Sequence, residues 1–135
     1  MTKIESKIGK LKQSDEKIFA FLSDFNNFKS LIPADKVKNW KSTTDSCSFS
    51  VDGIGDAGMR IIERIPNSLI KVSSEGNTPV NFFFWIQLKM TDESNTAIRL
   101  VIEPQVNPLM LGMLKGPLQN FVDMLIDQVE KLNLP

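Results

Sequence analysis

The sequence predicts an α+β domain in which one antiparallel sheet packs against a single long C-terminal helix. Three observations carry this. The stretch Asn107–Leu132 is apolar at helical spacing. Six consecutive segments between Val37 and Glu103 alternate apolar and polar residues, with short turns between them. An early helical pair, from Ser14 to Ile32, follows a first strand. Consecutive strands joined by short turns favour an antiparallel meander. Alternation gives the sheet one apolar face, and helices must cover that face.

The C-terminal helix has a clear start. Asn107 suits an N-cap and Pro108 the first helical position, where its missing N–H costs nothing. At about 100° per residue, Met110, Leu111, Leu114, Leu118, Phe121, Leu125, Val129 and Leu132 share one face. Lys115, Gln119, Asp123, Asp127, Glu130 and Lys131 share the other. Pro117, with Gly112 and Gly116 beside it, predicts a kink, or a short apolar piece followed by a long regular one.

The remaining elements follow in order. Lys3–Lys12 reads as a strand with Ile4 and Ile8 on one face. Ser14 caps a helix whose first turn carries Asp15 and Glu16. Ile18, Phe21, Leu22, Phe25 and Phe28 recur at three and four. Asp24, Asn26 and Asn27 mark a break or a second cap, and Pro33 ends the second short helix. Val37–Thr43 is a weak strand whose main apolar residue is Trp40. In Ser46–Asp52, Cys47, Phe49 and Val51 face one way. Gly53, Gly55 and Gly58 surround a turn before Ala57–Ile65. Leu69–Glu75 follows the Pro66–Asn67–Ser68 turn. In Val80–Thr91, Phe82, Phe84, Ile86, Leu88 and Met90 share a face. Thr96–Glu103 is the last strand, ended by Pro104. There is no repeat or linker, so residues 1–135 read as a single domain.

Composition narrows the chemistry. Hydrophobic residues make up 41% of the chain and charged residues 24%, which fits one folded domain. Lys plus Arg and Asp plus Glu are 16 each, and this balance argues against nucleic acid as a partner. There is no histidine, no tyrosine and one cysteine, Cys47. That removes the commonest general base and metal ligand, every Ser-His or Cys-His nucleophile pair, and any intrachain disulfide. No metal and no cofactor is expected. The N-terminus has no signal-peptide core, and the longest apolar run, Phe82–Ile86, is far short of a span. A cytoplasmic protein without stable membrane insertion is expected.

This order resembles the helix-grip fold of the START, Bet v 1-like (birch-pollen-allergen-like) and polyketide cyclase-like proteins, the SRPBCC superfamily. Ser14–Pro33, the Gly53–Gly58 turn, the strand end at Arg64, Ile65 and Pro66, and Pro117–Leu132 carry the match. The resemblance implies a curved seven-stranded antiparallel sheet wrapped around the long C-terminal helix, with two short helices after the first strand. It also implies a cavity for a hydrophobic small molecule, lipid-, quinone- or polyketide-like. Some members catalyse cyclisation, dehydration or hydrolysis, and the fold does not decide among these.

Alternation assigns the concave surface to Phe49, Val51, Met59, Ile61, Ile70, Val72, Phe82, Phe84, Ile86, Leu88, Ile98 and Leu100. The helix adds Met110, Leu114, Leu118 and Phe121. Two readings of this set stand: a lipophilic ligand cavity, or a filled core that needs no ligand. Glu63 is the inward polar candidate of its strand, either as a catalytic carboxylate or as a wet rim charge. Phe83 and Trp85 point to the outer face of a central strand. They read as an interface, including that of a homodimer, or as rings covered by long side chains such as Lys89. Val106–Leu114 is apolar nearly all round, which predicts burial on several sides or a lid hinged at Gly112, Gly116 and Pro117. The function expected is therefore non-catalytic binding of a hydrophobic molecule. A cyclase- or hydrolase-type enzyme using Glu63, or an accessory interaction module, is the alternative.

Overall fold

The computed structural model describes residues 2–32, 34–52, 55–76, 78 and 80–134. Pro33 and Gly53, read above as a helix stop and part of a turn, lie outside the described residues. The strands are β1 (Ile4–Glu5), β2 (Gly9–Leu11), β3 (Val37–Ser42), β4 (Ser46–Val51), β5 (Gly55–Ile65), β6 (Leu69–Ser74), β7 (Phe82–Asp92) and β8 (Asn95–Pro104). Helix α1 (Asp15–Leu22) and a 3-10 helix (Phe25–Leu31) follow β2, and α2 (Pro108–Glu130) follows β8. The strands form one sheet in the order β1-β8-β7-β6-β5-β4-β3, with β2 also paired to β8 and every pairing antiparallel. This is the expected helix grip, with its first strand in two pieces.

The break in that strand has a local cause. Ile4 pairs with Ile102 and Gly9 with Ile98, so the first strand takes one step more than β8 between the two pairs. The extra residue reverses the alternation. Ile8 turns out to solvent at 53% exposure, against the expectation that it shares a face with Ile4. Ser6 is buried instead, and its Oγ accepts from the Leu100 N–H at 2.9 Å, in place of a ladder carbonyl.

Beyond the break, Gly9 permits a close approach. A Cβ there would lie 2.8 Å from Ile126 Cγ2 and 2.9 Å from Ile98 Cγ2, so α2 crosses the sheet edge at a distance only glycine allows. The charged side of α2 caps that edge. Asp123 Oδ1 accepts from the Lys7 N–H at 2.8 Å and Glu130 Oε2 from the Lys10 N–H at 2.9 Å, while Gln119 donates to the Glu5 carbonyl at 2.8 Å. Lys7 Nζ also pairs with Asp127. Backbone groups that an open edge strand would leave unpaired are thereby satisfied.

The caps expected at Ser14, Asp24 and Asn107 all form, and the Asn107 side chain accepts from the Met110 N–H at 2.8 Å. Helix α2 is continuous through Pro117, which sits on its exposed side, so the two-piece alternative is not adopted. Its buried stripe is Leu118, Val122, Leu125, Ile126 and Val129. Val122 and Ile126 thus stand at the centre of the face, and Phe121 at its margin. The first two turns depart further from expectation: Leu109, Met110 and Met113 are 80%, 42% and 73% exposed. The predicted burial of this segment on several sides fails because α2 meets β1, β2 and β8 through its C-terminal half, while its N-terminal half stands away from the sheet.

Candidate functional site

That divergence leaves a gap. Gly9 lets α2 close on β2 and β8, and the core of the sheet is filled: Ile61, Ile70, Val72, Ile86, Ile98 and Leu100 are all buried. Toward the N-terminal half of α2, an apolar cavity of about 70 Å³ remains. Its sheet wall is Trp40, Phe49, Val51, Ala57, Met59, Phe82, Phe84, Ile102 and Pro104, with Val80 just before β7. Phe28 and Ile32 close one side, and Leu114, Leu118, Phe121, Val122 and Leu125 form the helix wall. Of the residues proposed from sequence as ligand contacts, Phe49, Val51, Met59, Phe82, Phe84, Leu114, Leu118 and Phe121 line this space. The six buried residues named above do not, and Met110 is on the outer side of α2. A space of about 150 Å³ holds benzene. A larger guest therefore requires a wall to move, and the least supported wall is the half-buried stretch around Leu114.

Trp40 is the lining residue that strand periodicity misplaces. Val37 and Trp40 both face inward although they are three positions apart, which a regular strand forbids. A β-bulge resolves this: Lys38 pairs with Ser50 and Lys41 with Ser48, so Asn39 and Trp40 together oppose Phe49. Asn39 takes the left-handed conformation, φ 60°, that lets the strand absorb the extra residue. The indole then stacks on Phe49 at 5.4 Å and on Phe28 at 6.5 Å. Its Nε1 is buried and finds no acceptor among the described residues. The signal was present in the sequence as an apolar pair at spacing three around an Asn.

The expected catalytic carboxylate is elsewhere. Ile61 pairs with Val72 and Glu63 with Lys71, so a second bulge at Ile62 turns Glu63 to the outer face, where it is exposed and clear of the cavity. The reading of Glu63 as the inward polar group is thereby corrected. The one charged residue lining the cavity, among the described residues, is Asp56. It is exposed at the rim and accepts from Ser50 Oγ at 2.6 Å. No cluster of metal-ligating side chains occurs among the described residues. Cys47 is buried on β4, and burial, assisted by Glu75, pushes its thiol up to about 12, so it stays neutral.

On the outer face, Phe83 and Trp85 lie 6.0 Å apart and are half-buried. Lys3 Nζ stands 4.9 Å from the Trp85 ring and Lys71 Nζ 4.9 Å from Phe83. The long side chains over these rings are therefore Lys3 and Lys71, with Lys89 exposed further along β7.

No family model and no curated protein matches the sequence. Solved structures do. A START superfamily protein from Mycobacterium smegmatis is similar with a TM-score of 0.69 and 14% identity, over 97% of this chain and 99% of that one. Norcoclaurine synthase from Thalictrum flavum, solved in complex with dopamine and hydroxybenzaldehyde, is similar with a TM-score of 0.70 and 15% identity, over 99% of this chain and 89% of that one. The di-domain ARO/CYC BexL from the BE-7585A biosynthetic pathway gives a TM-score of 0.74 at 12% identity, over 96% of this chain and 45% of that one. The chain has the helix-grip fold of the START and Bet v 1-like proteins.

Proposed function

We propose that this protein binds a hydrophobic small molecule between the sheet and α2, without catalysing its conversion. The observation that carries this is the cavity itself: an almost wholly carbon-lined space in the part of the core that α2 leaves open. Apolar burial is the main source of affinity such a space offers a ligand, at about 25 cal/mol per Å². Two of the similar structures, by their names, belong to a synthase and to a biosynthetic pathway. Here no acid–base pair faces the cavity among the described residues, which favours binding over chemistry. Entry proceeds by outward movement of the first turns of α2, where Gly112 and Gly116 are exposed and Leu114 is half-buried. No helix among the described residues is long and apolar enough to cross a membrane. A cytoplasmic location belongs to the same proposal.

The test uses N-phenyl-1-naphthylamine, a neutral dye that brightens in apolar sites. The protein should enhance its emission, and Ala57→Leu, which adds bulk to the cavity wall, should abolish the enhancement while preserving the fold. Enhancement that survives Ala57→Leu, or none from the parent protein, overturns the proposal.

A second reading is self-association through Phe83 and Trp85, favoured by two partly exposed rings on a central strand. A dimeric mass in sedimentation supports it, and a monomeric mass refutes it.

A further inference from the structure

We infer that the ligand is a neutral hydrophobe carrying one oxygen acceptor, such as a ketone, ester or ether, and that the Trp40 indole N–H receives that oxygen. The inference rests on the proposed binding function and sharpens it.

Three observations converge on Trp40. It lines the cavity, its Nε1 is buried, and that Nε1 has no acceptor among the described residues. Buried donors in folded proteins are nearly always paired, so an orphan in the wall of a cavity points to a partner supplied from the cavity. An indole N–H only donates, which excludes an ammonium group as the partner. An anion is disfavoured as well, because among the described residues no basic side chain lines the space and the one charge at its rim is Asp56. The donor is also held in place. The bulge at Asn39 turns the indole inward, and stacking on Phe28 and Phe49 limits its rotation, so the ring is held in place before a ligand arrives. The aromatic walls around it suit a flat ring with its oxygen at the Trp40 end.

The test compares acetophenone with ethylbenzene, which share a shape and differ in one carbonyl. Dissociation constants for both are measured by equilibrium dialysis against the parent protein and Trp40→Phe, which keeps an aromatic ring and removes the donor. The ketone's advantage over the hydrocarbon should fall roughly threefold to tenfold in Trp40→Phe, the worth of one hydrogen bond. In parallel, the Trp40 indole N–H resonance should move downfield with acetophenone and stay with ethylbenzene. Trp85→Phe assigns the two indole signals. A ketone-to-hydrocarbon ratio that Trp40→Phe leaves unchanged, or an indole signal that both probes move alike, overturns the inference while leaving binding in the cavity intact. If neither probe binds the parent protein, the binding function fails and the inference with it. Should Trp40→Phe not fold, the indole resonance in the parent protein decides alone.

Discussion

The position of Trp40 depends on one backbone torsion, and Asn39→Val tests that dependence. Asn39 sits at φ 60°, a conformation that costs a residue with a Cβ about 1–2 kcal/mol. Asn tolerates it, whereas a β-branched residue bears the cost in full. Two responses compete. The bulge can persist under strain, or it can collapse and turn Trp40 outward. Collapse would forfeit the stacks on Phe28 and Phe49, each worth about 0.5–1.5 kcal/mol beyond area burial. It would also expose much of the indole and the cavity wall behind it. Those losses together exceed the strain, so the bulge should persist and the strain should appear as lost stability. Asn39→Val is therefore expected to lower the unfolding free energy by about 1–2 kcal/mol with Trp40 still inward. Asn39→Gly, which fits the torsion freely, should stay close to the parent; the Asn39–Ser50 side-chain bond it gives up is long, at 3.4 Å. Urea unfolding followed by Trp40 emission, in a Trp85→Phe background so that one indole reports, gives both quantities. A Val variant as stable as the parent would refute the strain argument. A red-shifted native emission in that variant would show that collapse wins and that the strain outweighs the stacking.

Two further predictions concern packing and ionisation. Gly9→Ala should cost about 1–3 kcal/mol through overpacking, because its methyl meets two buried isoleucine methyls; Ile126→Leu removes one of them and should recover part of the loss, whereas additive effects in a denaturation cycle would refute the contact. Cys47 keeps its proton up to about pH 12 in the fold but releases it from about 9.0 once unfolded. Between those values the unfolded state binds fewer protons, so stability should fall as pH rises, by up to about 1.4 kcal/mol per unit. Cys47→Ala should flatten the curve between about pH 9 and 10, below the range in which lysines titrate. An unchanged slope would show that the thiol is not the group responsible.

The sequence alone determined the elements, their order and most of the inward set. Those properties come from spacing within a segment: period two for β4, β6, β7 and β8, period 3.6 for α1 and α2, and caps set by one side chain each at Ser14, Asp24 and Asn107. Residues such as Phe82, Phe84, Ile86 and Leu88 need no distant partner to be assigned to one face. Tertiary structure decided everything that depends on how two segments pair. Bulges near Ser6, Asn39 and Ile62 each insert one residue, and each thereby turns the following side chains to the other face. That is why Ile8 and Glu63 face away from the core and Trp40 faces into it. The cavity is the plainest case. Alternation states which side chains point inward, but not whether the opposed surfaces meet. Contact between α2 and the sheet is governed by Gly9 against Ile126, residues far apart in the chain, and the helix closes at that end and stands off at the other. An enclosed volume is the difference between the positions of two surfaces, and no local pattern along a single chain encodes it.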